Sequence, residues 1–388
     1  MMSKKLLKTA ILTIILATLI FSMVPINVNA SPTNYDVKLY FHKVSSVTLY
    51  GSTTTTTIMN TTSTGYFKST NQTVSVTCST NDTYYTLATF YLYPKLAGSL
   101  TIPSQTALPL KLYLKADKDV SDIYIQTNLN KTSSTDGSTS EIATTSTYGS
   151  TSLSTSVALK SVSGPVVGSA VTVESGYYLV LKIEVKTTSS APVTVTLYYD
   201  TSDCPSRIDR LTVSDHFDIT AINTYLGTVA QSDFHPTDTI NLTATIVDAF
   251  GGYDIASVVM YYLPYGHTTR VGNDTATLLS GTDTSYTVYY YDTYTHSSEE
   301  YTGIYWVPYV EVTDRSGNTI TESGDKIGIY GPSGQEPTPP PSEEETPLLP
   351  QLPEEILGIP IMMFMITMML LIICVVVAVY IVIVNKRR

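Results

Sequence analysis

The chain has 388 residues, of which 43% are hydrophobic and only 14% are charged, and its formal net charge is −11. This length and apolar content predict two folded modules rather than one domain or a disordered chain. The acidic balance argues against nucleic-acid binding, because phosphate recognition requires clustered Lys and Arg, which here occur only at the two ends.

Residues 1–30 have the pattern of a secretory signal peptide. Three lysines near the start precede an uncharged stretch that ends before Pro25, and small residues lead up to Ala30. We expect cleavage after Ala30 and export of the segment that follows. An uncleaved signal anchor is the alternative, because the apolar run is slightly long for a cleaved signal.

Residues 31–213 are predicted to form the first module, an all-β sandwich. In the segment YYLVLKIEVK, Leu179, Leu181, Ile183 and Val185 alternate with the residues between them, which is the period of a half-buried strand. The segment APVTVTLYYD repeats this alternation, and we expect the two strands to be neighbours. The Ser-, Thr- and Gly-rich residues 132–156 are predicted to form a long loop or an outward ribbon.

Two segments of this module, ESGYYLVLKIEV and YYDTSDCPSRIDRLTV, resemble the jelly-roll sandwiches of prokaryotic surface proteins. The resemblance covers the end of the module and implies a jelly-roll-like fold. Cys78 and Cys204 are candidates for a disulfide that would tie an early strand to a late one, and two buried thiols are the alternative. The third cysteine, Cys374, falls in an apolar segment near the C-terminus.

Residues 214–331 are predicted to form a second sandwich. The segments HPTDTINLTATIVD, DAFGGYDIASVVMYYL and VEVTDRSGNTIT are similar to the immunoglobulin-like domains common on archaeal and bacterial surfaces, although Thr237 stands where glycine is usual. The resemblance implies an immunoglobulin-like fold and no shared catalytic residues. The strands are expected to begin near Phe217, Ile240, Ile255, Tyr286, Ile304 and Asn318.

Residues 332–355 are rich in Pro and Glu and predict an extended stalk, with docking of the prolines to an aromatic groove as the alternative. Residues 356–384 are predicted to be a transmembrane helix, because 361–384 have no charge and would form a helix of roughly 36 Å. Residues 385–388 form a basic tail whose Lys386, Arg387 and Arg388 set the cytoplasmic side.

The exported region contains several Asn-x-Ser/Thr sequons, which are candidates for N-glycosylation. In the segment TINLTATIVD the apolar residues share one face, so Asn241 is expected to face outward. The candidate asparagines are Asn60, Asn71, Asn81, Asn130, Asn241 and Asn273.

The sequence has no motif that identifies an enzyme or a zinc site. The five histidines show no metal-ligand spacing and are interpreted as surface or loop residues. We therefore expect a non-catalytic protein without a cofactor, although separated carboxylates can form a glycosidase pair in space. A calcium site in the second module is possible in principle, because four aspartates lie at predicted strand ends, where their oxygens could be ligands. The alternative is that these aspartates are there because Asp readily forms turns. They are Asp248, Asp254, Asp314 and Asp325.

These features predict a single-pass protein of the cell membrane, with its body outside and its C-terminus in the cytoplasm. Its plan resembles that of archaeal cell-envelope proteins. The expected role is adhesion, scaffolding or binding of extracellular protein or glycan partners. The alternative is a tethered carbohydrate-binding or glycan-processing protein that uses the jelly-roll module. Dense tyrosines between Tyr261 and Tyr305 are interpreted as sheet surface with a smaller contribution to binding.

Overall fold

The computed structural model describes residues 33–49, 52–62, 70–79, 83–133, 138–296, 301–331, 334–338, 355–356 and 359–360. Within these residues the protein is all-β, with a single 3-10 turn at Gly252–Asp254. No helix in the described part is long and apolar enough to cross a membrane. The expected signal peptide, most of the stalk, most of the transmembrane segment and the basic tail lie outside the described residues.

Thirteen strands between Asn34 and Ser214 form one continuous hydrogen-bonded sheet, sheet A, which we call the first body. These strands are β1 (Asn34–Leu49), β2 (Ser52–Asn60), β3 (Gln72–Cys78), β4 (Tyr85–Leu92), β5 (Leu100–Ile102), β6 (Leu110–Ala116), β7 (Val120–Ser133), β8 (Thr139–Leu153), β9 (Ala158–Val162), β10 (Val171–Val173), β11 (Tyr177–Thr187), β12 (Val193–Tyr199) and β13 (Arg207–Ser214).

Sheet A folds over on itself in a β-sandwich-like arrangement. Its main path runs β3-β12-β6-β13-β1-β2-β4-β11-β7-β8. Side chains from the two ends of this path share one core, where Phe41 stacks on Phe90 at 4.0 Å and Phe90 meets Tyr199 edge-on at 5.5 Å. Because Phe90 belongs to β4 and Tyr199 to β12, the two halves of the sheet face each other across this core.

The alternation predicted for β11 and β12 is confirmed. Leu179, Leu181, Ile183 and Val185 are buried, as are the corresponding apolar residues of β12. The expectation that these two strands are neighbours is wrong, because β11 lies between β4 and β7 whereas β12 lies between β3 and β6. Residues 188–192 therefore cross between the two halves instead of turning back within one.

The segment 132–156 was predicted to be either a long loop or a ribbon. Most of it is a ribbon, because residues 139–153 form strand β8. Strand β8 runs antiparallel to β7 and is the last strand on the main path of sheet A. Its described side chains include Leu153, which is buried in the core of the first body. The ribbon therefore extends the sheet.

Of the two alternatives for Cys78 and Cys204, the structure has the second, because both cysteines are buried free thiols. Cys78 ends β3, whereas Cys204 lies beyond the other end of β3, where its N–H donates to the Thr201 hydroxyl and that hydroxyl donates to Asn71. A strand of this length separates its ends by about 20 Å, while a disulfide needs Cα atoms within about 7 Å.

The second body, residues 217–329, contains two sheets. Sheet B has the order β15-β14-β17-β21-β20, and sheet C has the order β16-β24-β22-β18-β19, with β23 paired to β22. The strands are β14 (Phe217–Leu226), β15 (Val229–Ala230), β16 (Asp233–Phe234), β17 (Thr239–Asp248), β18 (Ile255–Pro264), β19 (Val271–Thr275), β20 (Thr277–Ser280), β21 (Thr287–Thr295), β22 (Ile304–Asp314), β23 (Thr319–Ser323) and β24 (Ile327–Ile329). Outside both bodies, β25 (Glu355–Ile356) pairs with β26 (Ile359–Pro360).

The two sheets of the second body enclose a separate core around the fully buried Trp306. The expected turn between β22 and β23 is confirmed, because the Asp314 N–H donates to the Asn318 carbonyl at 2.9 Å. Gly251 has a φ of +110°. Glycine adopts this positive φ readily, which explains the glycine at this position.

The first and second bodies are packed directly against each other. The N–H groups of Ala97 and Gly98 donate to the carbonyl of Ala249 at 2.9 and 3.1 Å. A Cβ on Gly98 would lie 2.4 Å from the Tyr286 ring, so a larger residue there would require this ring to move. The apolar core of the first body extends into the second through Phe250 and Tyr253. Residues up to Pro337 accordingly form one compact unit.

Candidate functional site

Four ionisable side chains, three of the second body and His216 directly before its first strand, meet at the end that faces the first body. In sheet B, Phe217 pairs with Asp248, and the carbonyl of the preceding residue, His216, accepts the N–H of Ala249, the residue after Asp248. In sheet C, Ile255 pairs with Asp314, which places the preceding residue, Asp254, beside Asp314. Each sheet therefore contributes two members, and we call His216, Asp248, Asp254 and Asp314 the junction cluster.

Three members of the junction cluster lie within contact distance of one another. Nε2 of His216 is 3.2 Å from Oδ2 of Asp314 and 3.8 Å from Oδ2 of Asp254. One ligand atom from each of these residues lies within 4.8 Å of the others, so the three could hold a metal ion. All four side chains are buried, with His216 at 2% exposure and the carboxylates at 1% or less.

Backbone and amide donors fix the orientation of two of the carboxylates. Oδ1 of Asp248 accepts the N–H groups of Phe250 at 2.7 Å and Gly251 at 3.2 Å, which closes the turn after β17. Asp314 accepts the Asn318 N–H on Oδ1 at 2.7 Å and the Asn318 side-chain amide on Oδ2 at 2.6 Å. These bonds explain why acidic residues occupy the two turns.

Several polar atoms of the junction cluster nevertheless make no hydrogen bond of normal geometry. They include both carboxylate oxygens of Asp254, Oδ2 of Asp248 and Nδ1 of His216. The Thr61 hydroxyl, which belongs to the first body, lies beside Asp254 and lowers its pKa. Buried polar groups in folded proteins are normally paired, so this concentration of unpaired atoms needs a physical explanation.

The electrostatics of the junction cluster are dominated by burial. Desolvation raises the pKa of Asp254 to about 6, against the lowering effect of His216 and Arg315. Desolvation and the Asp254 charge likewise raise the pKa of Asp248 well above its usual value. Three carboxylates thus share a space in which Arg315, which donates to the Tyr253 carbonyl, is the nearby permanent cation.

Aromatic rings cover the cluster on the side of the first body. Tyr35 of β1 meets the His216 ring edge-on at 5.2 Å, and Phe250 meets it edge-on at 5.7 Å. Phe217 packs on the same imidazole at 4.6 Å. The cluster is therefore enclosed by protein, and its side chains are almost completely shielded from solvent.

A second buried histidine–aspartate pair lies in the first body. Nδ1 of His42 is 2.8 Å from Oδ1 of Asp200, and Nε2 is 3.0 Å from the Thr62 carbonyl. The other oxygen of Asp200 accepts the Lys43 N–H at 2.9 Å. Both side chains are shielded from solvent, and every polar side-chain atom of the pair has a partner.

The interpretation of the five histidines as surface or loop residues is wrong for His42, which lies in β1, whereas His216 and His296 lie between strands but are buried. His42, His216 and His296 are at most 2% exposed, whereas His235 and His267 are exposed. The sequence does not show that His216 lies in a cluster, because strand pairing brings it to carboxylates that are distant along the chain. The sequence feature that could have located His216 is its position directly before β14, a strand whose partner, β17, ends in an aspartate.

The structure brings together three of the four carboxylates considered for calcium. Asp248, Asp254 and Asp314 belong to the junction cluster, while Asp325 is exposed and lies outside it. Sequence reasoning thus located the acidic residues at the correct end of the second body and missed His216.

The sequons differ in accessibility. Asn60 is fully buried, so a glycan does not fit there in the folded protein and we remove Asn60 from the candidates. Asn71 is exposed, while Asn130 and Asn241 are half-buried. Asn81 lies outside the described residues, and Asn273 is described only in its backbone.

Comparison with known proteins gives no family assignment. No family model and no curated protein matches the chain. Among solved structures, an aminopeptidase from a marine sediment Thaumarchaeota archaeon matches with TM-score 0.34 and 7% identity over 47% of this chain. An α-amino acid ester hydrolase matches with TM-score 0.26 and 12% identity over 32% of this chain. The matches span 37% and 25% of those two proteins.

A DUF4785 family protein from Legionella pneumophila matches over 78% of this chain and 66% of its own length, with 11% identity and a TM-score of 0.22. Similarities of this size assign neither a family nor an activity to the chain.

Proposed function

We propose that the protein is a non-catalytic, membrane-anchored component of the cell exterior that serves in adhesion, scaffolding or partner binding. Its parts are a signal peptide, a jelly-roll-like first body, an immunoglobulin-like second body, a Pro/Glu stalk, one transmembrane helix and a cytoplasmic basic tail. This plan is similar to that of archaeal cell-envelope proteins. The sequence patterns at both ends support the location.

The observation that best supports a scaffolding role is the rigid junction between the two bodies. Besides the contacts of Ala249, the Lys38 N–H donates to the Ser316 hydroxyl at 3.1 Å, and the Asn318 amide donates to the Asp36 carbonyl at 3.1 Å. The first strand of one body is thus bonded to the β22–β23 turn of the other. Two bodies that are joined in this way can present their surfaces in a fixed orientation relative to each other.

A surface suited to a protein partner lies at the edge of sheet B. Strand β20 is the last strand of that sheet, and its Leu278 and Leu279 are 47% and 58% exposed. Tyr289 of the neighbouring β21 is 42% exposed. Exposed tyrosine and leucine beside an unpaired strand edge are features of protein contact surfaces.

The alternative function, carbohydrate binding or glycan processing, is supported by the exposed rings of Tyr286 and Tyr289, because tyrosine stacks on sugars. Both rings belong to the second body, whereas the alternative placed glycan recognition in the first. A glycan array probed with the full-length chain separates the two functions. Robust sugar binding would replace the scaffolding proposal.

The location is tested by adding protease to intact cells that express the chain with an epitope tag at its C-terminus. We expect the two bodies to be released as one fragment by cleavage in the stalk, while the tag stays with the cells. A cytoplasmic marker protein serves as the control for cell integrity. Complete protection of both bodies in intact cells, with digestion after lysis, would overturn the proposal.

A further inference from the structure

We propose that His216, Asp254 and Asp314 bind one divalent cation of the class that accepts both imidazole and carboxylate ligands, namely zinc or manganese. Asp248 lies beside these residues and adds negative charge that favours the ion. The proposal assigns the ion a structural role at the junction of the two bodies. It is independent of the proposed surface location, because metal content is measured on the purified chain.

The spacing of the donor atoms fits a small cation. Ligand atoms bound at about 2.1 Å in tetrahedral geometry lie roughly 3.4 Å from one another. The His216 nitrogen lies 3.2 Å from the nearest Asp314 oxygen and 3.8 Å from the nearest Asp254 oxygen. The Asp254 and Asp314 oxygens lie within 4.8 Å of each other, so closure of the two carboxylates toward His216 would place the three donor atoms around one ion.

The unpaired carboxylate of Asp254 is a second, independent indication of a ligand. Its side chain is completely buried, and neither oxygen makes a hydrogen bond of normal geometry. Asp314 differs, since Asn318 holds both of its oxygens. A cation beside Oδ2 of Asp254 would compensate a buried charge for which the protein supplies no hydrogen bond of normal geometry.

The imidazole decides the class of ion. Calcium and magnesium prefer oxygen ligands, whereas zinc and manganese accept a histidine nitrogen together with carboxylates. The donor set here has one nitrogen at its centre, because Nε2 of His216 faces both Asp254 and Asp314. The proposed ion is therefore zinc or manganese, in place of the calcium that the carboxylates alone suggest.

The burial of the cluster makes the site structural. All three ligand side chains are at most 2% exposed, whereas a catalytic metal needs a coordination position that water or substrate can reach. The ligands come from both sheets of the second body, and Thr61 and Tyr35 of the first body lie against them. An ion at this point would fix the turns that contact the first body.

The test begins with the full-length chain, purified without chelators and then treated with EDTA. Metal content is measured by mass spectrometry, and zinc, manganese, calcium and magnesium are added back separately. We expect about one zinc or manganese per chain and a rise in Tm of about 5 °C at an ion concentration of about 100 times Kd. Failure of both metals to bind at one per chain, or a response to calcium or magnesium alone, would overturn the proposal.

Variants identify the ligands. Asp254→Asn should weaken zinc binding at least tenfold, while Asp325→Asn, which changes an exposed carboxylate outside the cluster, should leave it unchanged. His235→Ala controls for zinc on an exposed imidazole and should also bind normally. The zinc X-ray absorption spectrum of the wild type, which does not depend on any variant folding, should show one imidazole. Equal binding by Asp254→Asn, or a spectrum without imidazole, contradicts the assignment.

Discussion

The two bodies each bury a histidine beside carboxylate groups, and the two arrangements differ in how completely they are paired. In the first body, His42 and Asp200 use all their polar atoms in contacts with each other, the Thr62 carbonyl and the Lys43 N–H. In the junction cluster, one histidine faces two carboxylates of which one, Asp254, has no normal hydrogen bond.

The comparison of the two histidine clusters shows that burial alone does not indicate a binding site. A buried pair whose partners are all present is explained by the fold alone, and the pair in the first body fits that description. A buried carboxylate without donors destabilises the fold unless another group binds it. Residues 60–62 connect the two cases, because Thr62 accepts from His42 while Thr61 lies beside Asp254.

The largest expected effect is loss of the paired carboxylate in the first body. Asp200→Ala leaves the His42 ring and the Lys43 N–H without their buried partner, and it also places alanine at a φ of +68°. We expect the free energy of unfolding to fall by about 4 kcal/mol in chemical denaturation. Asp200→Asn, which tolerates this φ and keeps an acceptor, should lose less. A loss below about 1 kcal/mol from Asp200→Ala would mean that the pair is not the closed structure described.

Asp254→Asn is expected to raise the free energy of unfolding, in contrast to Asp200→Ala, when both proteins are kept free of metal with EDTA. Because the folded state raises the Asp254 pKa from 3.8 to about 6, it binds the proton more strongly than the unfolded state does. This group therefore lowers stability as pH rises from about 4 to about 6, and its full penalty is present above that window. A shift of about 2 pKa units limits the gain from Asp254→Asn to about 3 kcal/mol.

The measurement for Asp254→Asn is the difference in unfolding free energy between variant and wild type at pH 7.5 and at pH 5, both in EDTA. The difference should be larger at pH 7.5. The pH effects of carboxylates outside the junction cluster cancel in this subtraction, and the loss of the Asp254 charge also lowers the pKa of Asp248. A variant that is less stable than the wild type at both pH values would contradict the description of Asp254 as an unpaired buried charge.

A smaller effect is expected from the turn that positions two members of the junction cluster. Gly251 has φ of +110°, and a Cβ there would lie 2.7 Å from the Asp283 carbonyl oxygen. Gly251→Ala should therefore lower Tm by an amount equivalent to about 2 kcal/mol and weaken zinc binding together with stability. Gly168→Ala, whose Cβ would meet nothing within 4 Å, is the matched control and should change neither. Normal zinc binding by Gly251→Ala would show that the turn does not shape the site.

Much of the fold follows from local sequence patterns. Period-two alternation located β11, β12 and β17 and the buried face of each, because a strand with one buried face must alternate. The same patterns contain no information about which strands pair. Nothing in the five residues between β11 and β12 indicates that they cross from one half of sheet A to the other, and the wrong neighbour assignment followed from that.

The candidate site was predictable only in part for the same reason. Asp248, Asp254 and Asp314 lie at strand ends and could be grouped from the sequence, since the ends of strands in one sandwich meet. His216 could not be added without the register of β14 against β17. The choice between a disulfide and two thiols for Cys78 and Cys204 likewise needed the structure, because opposite ends of β3 separate two cysteines that both lie in the first body.

The smallest effect is expected for an ion pair at the surface. This pair shows what charge pairing contributes to stability without burial, for comparison with the two buried histidine clusters. Nζ of Lys131 lies 2.9 Å from Glu174, and this hydrogen bond lowers the pKa of Glu174, whose side chain is 53% exposed. Solvent screens such a pair, so Glu174→Gln should cost at most about 0.5 kcal/mol at low salt and less in 1 M NaCl. Denaturation at both salt concentrations measures it. A loss as large as that of Asp200→Ala would show that charge pairing, and not the removal of buried partners, determines the difference between the two histidine clusters.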